Sequence, residues 1–230
     1  QVGANASYTV AQTQDFALDS EGAMVGLFDR VELSFAHQAF NTRNLGLALG
    51  LGQDYKITQN VLGLKVKVAG DAVLEQDSWL PQIAVGLQYK KNNDGAVVES
   101  LGAKSDSGTD FYVSATKICL AHSFLIDVTL RETKANQLGI LGFGGNQNDS
   151  YQTELEGSLA YIISPHVALG GEYRMKPDNL RGIPENPWSD FFLAWAPTKN
   201  ISLTAAYVSL GSVATKDGEN GTYGSLQIGF

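Results

Sequence analysis

Nine charged residues of this chain recur at even spacing inside short segments: Glu32, the pair Lys65 and Lys67, then Asp127, Arg131, Glu154, Glu156, Glu172 and Arg174. In an extended strand successive side chains point to opposite faces, so each pair two or four residues apart shares one face. A tight turn at Ile163 to Pro165 predicts Glu154 opposite Arg174 and Glu156 opposite Glu172. A similar register across the longer link at 134–150 brings Arg131 near Glu154. Such a mixed-charge cluster can act as a constriction that selects small hydrophilic solutes. It can equally be a set of salt bridges bracing a wall. Glu156 facing Glu172 tips the reading toward function, because like charges directly opposite destabilise a sheet. Lys65 and Lys67, beside Glu32, predict a second, basic patch.

Covalent and metal chemistry find little support. Of the three histidines, His122 and His166 fall in short turns and read as solvated. His37 could serve a lipid-facing hydrolase as base, but such an enzyme needs a serine nucleophile within hydrogen-bond reach. Residue 39, two along on the same face, is Ala39. The stretches 92–95 and 217–221 lack the spaced carboxylates of a calcium loop and read as turns. The single cysteine, Cys119, excludes an internal disulfide and offers no zinc ligand set. We expect no cofactor and no metal, and no enzyme.

Composition bounds the partners. A net charge of −8 argues against nucleic acid, whose binders present a basic face. Mean hydropathy is −0.09, and no run approaches the ~18 apolar residues of a membrane helix. A membrane β-barrel escapes that test, because only alternate residues face lipid. The 25 glycines against 6 prolines suit a chain of many strands and turns. No secretory leader precedes Gln1, so the chain reads as mature or trimmed.

The elements that must position the charges are twelve segments of period-two alternation, beginning at 2–10 and ending at 223–230. Alternation sustained through so many segments is hard to obtain from helices. Links at about 11–19, 41–58, 91–109, 134–150, 177–189 and 211–222 are long and polar. The others are short except 69–80. Short turns on one rim and long loops on the other mark a membrane barrel, with the short turns periplasmic. Aromatic residues mark both rims: Tyr8, Tyr89, Phe111, Tyr151, Tyr173, Phe191, Tyr207 and Tyr223 at the long-loop ends, Phe28, Trp79, Phe124, Tyr161, Trp195 and Phe230 at the short-turn ends. Such rings prefer the headgroup level of a bilayer. The segment Leu45 to Gly52 is either a loop folded into the mouth or a further strand.

The last strand places Gly224, Leu226, Ile228 and Phe230 on one face, with Tyr223 on the other. These five residues resemble the C-terminal signal read by the barrel-assembly machinery, except that its usual glycine position holds Ser225.

Five stretches carry a resemblance over most of the chain: Leu64 to Tyr89, Gly108 to Lys117, Thr133 to Asn136, Glu172 to Asn179 and Ala194 to Asn200. They resemble an uncharacterised proteobacterial family of outer-membrane proteins, a domain of unknown function. The pattern Leu-Pro-Gln-Ile-Ala-Val-Gly followed by Gly-Thr-Asp-Phe-Tyr-Val-Ser-Ala-Thr-Lys is also similar to a wider set of porin-like barrels. The resemblance implies a glycine-rich segment ahead of the position matching Gln1, and it implies no substrate.

The expectation is one all-β domain, residues 1–230, an antiparallel up-and-down transmembrane barrel of about twelve strands in a Gram-negative outer membrane. It would be a narrow passive channel for small polar or charged solutes, surrounded by outer-membrane lipid and lipopolysaccharide. The rival is a non-conducting barrel with a structural or docking role. Its docking loop for a periplasmic protein partner would use Asp71, Glu75, Asp77 and Trp79. A membrane-embedded hydrolase ranks third.

Overall fold

The computed structural model describes residues 2–48, 50–71, 73 and 79–230. Twelve strands follow one another in chain order. They are β1 (Val2–Thr13), β2 (Ala17–Leu27), β3 (Val31–Asn41), β4 (Lys56–Ala69), β5 (Gln82–Asn92) and β6 (Ser107–Cys119). They continue as β7 (Phe124–Thr133), β8 (Gln152–Ser164), β9 (Val167–Arg174), β10 (Trp188–Thr198), β11 (Ile201–Ser209) and β12 (Asn220–Gly229). Each pairs antiparallel with its neighbours, and β12 returns to β1 to close the barrel. Closure leaves no edge, which hydrocarbon demands, since an unsatisfied backbone group there costs several kcal/mol. The closing seam runs from Asn5↔Gly229 to Thr13↔Gly221, with Thr9 and Ser225 hydroxyls 2.9 Å apart across it.

The alternation sorts the faces as expected. Leu62, Val85, Val113, Val128, Leu130, Leu159 and Leu193 stand outward and exposed, where lipid would cover them. Their strand neighbours Lys65, Gln88, Asp110, Asp127, Arg131 and Glu156 have the opposite parity and turn inward. The aromatic rims form too. Tyr8, Phe111 and Tyr207 project at one end, Phe28, Trp195 and Phe230 at the other. Tyr223 is a correction: it has the parity of Ser225 and lines the interior instead of the girdle.

One link differs from the sequence reading, and one left open is settled. The stretch 11–19 is no long loop, because β1 and β2 run on to Thr13 and Ala17 and Thr13 N–H donates to the Phe16 carbonyl at 3.0 Å. Phe16 turns inward, 2% exposed, and stacks on Phe40 with ring centres 5.0 Å apart. That apolar contact shortens the hairpin. Within Leu45 to Gly52 the described residues include the short helix α1 (Asn44–Ala48) and no strand, so the strand count stands. A second short helix, α2 (Gly95–Ser100), lies in the next long loop.

The long loops pack together over one end of the barrel. Val98, Leu141 and Leu180, from three different loops, are each at most 2% exposed and share one apolar cluster with Phe16, Phe40 and Ile57 of the barrel mouth. Among the described residues, no helix is long and apolar enough to cross a membrane.

Candidate functional site

The inward faces of β5 to β9 form a charged wall. Lys90 Nζ lies 2.6 Å from Asp110 Oδ2, and Arg131 Nη1 lies 3.6 Å from the same oxygen. Arg131 donates through Nε to Glu156 Oε1 at 2.6 Å and through Nη2 to Oε2 at 3.1 Å. Arg174 Nη2 meets Glu156 Oε1 at 2.6 Å. Gln88 Oε1 accepts from Arg131 at 3.0 Å, and the guanidinium lies 5.0 Å from the centre of the Tyr112 ring. Three cations and two carboxylates therefore share one ion-paired network, in which every charge meets an opposite one.

The network corrects the expected register. Glu156 stands opposite Arg174, and Glu172 opposite Ser158, because the turn closes on Pro165 and His166 with Ser164 paired to Val167, and the bulge between Ile162 and Ser164 takes back only one residue of that displacement. Glu156 and Glu172 are thus not opposed, and the like-charge argument drawn from them falls. Arg131 does stand opposite Glu154, as expected, yet its side chain reaches diagonally to Glu156. Glu154 is buried and makes no ion pair among the described residues. Asp127 lies apart, accepting hydrogen bonds from Thr116 Oγ1 at 2.5 Å and Thr129 Oγ1 at 3.1 Å. Lys90 and Asp110 complete the network, and Asp110 is missing from the sequence-based site. Its parity with Tyr112, Ser114 and Thr116 is the signal that places it inside.

Glu32 pairs in register with Lys65. With Lys67 they line a recess of about 310 Å³ at the short-turn mouth. Of the expected docking loop, Asp71 is exposed and Trp79 is 87% exposed, while Glu75 and Asp77 lie outside the described residues.

At the opposite end the loop after β7 folds down into the lumen. Lys90 Nζ donates to the Leu138 carbonyl at 3.0 Å, and Asn92 Nδ2 to the Ile140 carbonyl at 2.8 Å. Gln137 ties three loops together. Its backbone N–H donates to Glu185 Oε1 at 2.8 Å, its Nε2 to the Ser212 carbonyl at 2.7 Å, and its Oε1 accepts from Lys176 at 3.2 Å. Gln137 (φ 43°) and Leu138 (φ 62°) both adopt left-handed backbone, a strained choice for such residues that this ring of partners holds in place. Burial pushes the Glu185 carboxyl up to about 8 and holds the Lys176 ammonium down to about 8, each opposed by the charge of the other.

Beneath this plug, a cavity of about 250 Å³ remains against the β9–β3 side of the wall. Leu138, Ile140 and Leu141 roof it, and Phe40, Trp188, Phe192 and Tyr223 are among its walls. Glu172 and Asp190 also face it, from opposed positions on β9 and β10. The lumen is therefore two-sided, charged on β5–β9 and largely apolar across from it. Among the described residues no group of histidine, cysteine and carboxylate side chains is placed to hold a metal. On the outer surface His37 Nδ1 pairs with Asn60 Oδ1 at 2.8 Å, and Ala39 beside it brings no hydroxyl.

The model of the DUF3034 family, described as a protein of unknown function, matches residues 1–227. The chain belongs to that family. No curated protein matches its sequence. Among solved structures, this DUF3034 barrel is similar to the KdgM porin, with TM-score 0.61 and 9% identity over 98% of this chain and 99% of that one. It is similar to the NanC porin, with TM-score 0.58 and 10% identity over 100% and 99%. It is also similar to outer membrane phospholipase A from Escherichia coli, with TM-score 0.54 and 10% identity over 97% and 92%. At such identities the likeness establishes a fold, that of Gram-negative outer-membrane barrels. It does not transfer an activity.

Proposed function

We propose that this DUF3034 protein is a narrow channel of a Gram-negative outer membrane, passing small solutes when its loop layer opens and performing no covalent chemistry. The observation that carries this reading is the lumen itself. Twelve strands enclose more room than side chains need: a cavity of about 250 Å³ persists under the plug, and a recess of about 310 Å³ opens at the short-turn mouth. A purely structural barrel gains nothing from such voids, since packing them would stabilise it. The charged network is better read as bracing than as a selectivity ring. Around it only about 10 Å³ stays open, and its charges satisfy one another. The absence of a hydroxyl at Ala39 supports a non-catalytic reading of His37.

The test is single-channel conductance in a planar bilayer, with a variant in which residues 136–145 are replaced by a short glycine-serine link. Small, infrequent steps from the native protein and larger, sustained steps from the variant are expected. A variant that is folded, by heat-modifiable gel mobility, yet silent would overturn the channel.

A second reading rests on the same loop layer: a barrel that stays closed and serves the envelope by docking. Trp79, 87% exposed at the short-turn rim, and the exposed Asp71 favour it. It predicts that both proteins are silent and that a Trp79→Ala variant loses a periplasmic partner.

A further inference from the structure

The cavity under the plug has a chemistry that the bracing network does not share. Its aromatic walls come from β2–β3 and from β10–β12, including Phe40, Trp188, Phe192 and Tyr223. Into this apolar space face two carboxylates, Glu172 and Asp190, directly opposed in register across β9 and β10. Like charges so placed destabilise a sheet pair unless something neutralises them. The neighbouring cations are committed elsewhere. Arg174, two residues from Glu172, is turned to Glu156 at 2.6 Å. Lys176 Nζ spends its three donors on carbonyl oxygens: Gln137 Oε1 at 3.2 Å, the Leu210 carbonyl at 3.0 Å and the Ser212 carbonyl at 3.0 Å. Glu172 makes no ion pair among the described residues. Asp190 Oδ1 and Trp188 Nε1 are both buried without a hydrogen-bond partner there. Buried polar atoms are normally paired, so a free acceptor and a free donor two residues apart on one strand face mark a place where a guest completes the bonding.

We propose that this cavity is a binding site for a small organic cation: an ammonium group held by Asp190 and Glu172, with an apolar body seated among the aromatic rings. Ring faces add cation–π attraction to the carboxylate charge. A space of about 250 Å³ is below the usual drug-sized site, so it suits a monocyclic amine and excludes a phospholipid. A hydroxyl on the ligand would accept from Trp188 Nε1. That the bound cation is also cargo rests on the channel reading above. The binding itself does not.

The experiment uses the full chain in lipid nanodiscs with Trp79→Phe and Trp195→Phe, which leave Trp188 as the one tryptophan. Its emission is titrated with 2-phenylethylammonium, and in parallel with 2-phenylethanol and phenylacetate as neutral and anionic counterparts. A saturable change with the ammonium is expected, at least tenfold weaker with the alcohol and absent with phenylacetate. Asp190→Asn and, separately, Glu172→Gln should each weaken the ammonium about tenfold while heat-modifiable mobility stays native. No saturable change with the ammonium, equal response to the alcohol, tighter binding of phenylacetate, or folded carboxamide variants of undiminished affinity would each overturn the site. A silent bilayer with a saturable titration would remove the channel and keep the site. Conductance without a titration would do the reverse.

Discussion

Arg131 on β7 grips Glu156 on β8 with a two-pronged hydrogen-bonded pair, although the residue opposite it in the sheet is Glu154. The forked geometry suits guanidinium and carboxylate, and it leaves Glu156 Oε1 able to receive Arg174 as well. Arg131→Ala removes one charge from a largely buried network and should cost about 3 kcal/mol, read by urea unfolding in detergent micelles. Glu154→Gln removes a buried carboxylate that makes no ion pair among the described residues, and should be neutral or stabilising. Equal losses from both would mean that the network does not brace the wall.

The seam where β12 meets β1 admits no side chain at one point. A Cβ on Gly221 would fall on the Gln12 carbonyl oxygen, whereas one on Gly224 would find only Val10 Cγ2 at 3.8 Å. Gly221→Ala should lower refolding yield and stability by about 1–3 kcal/mol, the usual toll of overpacking. Gly224→Ala should refold as the native chain does. Gel-shift refolding into lipid vesicles measures both.

Gln137 links three loops by its N–H, Nε2 and Oε1. Gln137→Ala keeps the first bond and loses the other two, one of them to a charged lysine. Bonds to charged groups contribute about 1.5–3 kcal/mol. Amide hydrogen exchange across 136–145 should therefore quicken at least about tenfold, with exchange in β6 and β7 unchanged.

Closure of the loop layer should be weakest near pH 8. Glu185 rises from an ordinary 4.5 to about 8, so between those values the closed layer holds a proton that an opened loop releases. Closure then weakens as pH rises through that window. Lys176 falls from 10.5 to about 8, so above about 8 the opened loop holds the extra proton and closure strengthens again. Exchange across 136–145, corrected for the intrinsic pH dependence of exchange, should peak near pH 8. Glu185→Gln should flatten the acid side of the peak, and Lys176→Met the alkaline side.

Alternation along each strand is local. The pleat sends Arg131, Glu156 and Arg174 to one face and Leu130, Leu155 and Tyr173 to the other whatever the neighbours do, so the faces, the twelve strands and the two unequal rims are all legible in the residue order. The seam follows from them, because a twelve-stranded sheet in lipid must close. Three matters were decided only in the folded sheet. The β8–β9 turn closed on Pro165 and His166, and even after the one-residue bulge at Ile162 and Ser164 this replaced the expected Glu156–Glu172 opposition with the Glu156–Arg174 pair. Packing of Val98, Leu141 and Leu180 drew the long loops into one layer, where polar composition alone suggested exposed loops. The cavity arose because Phe40, Trp188, Phe192 and Tyr223, scattered over almost the whole chain, have inward parity on strands that closure brings to one side of the lumen. Parity can be read one strand at a time, but register, loop packing and the shape of a lumen are set by the closed sheet.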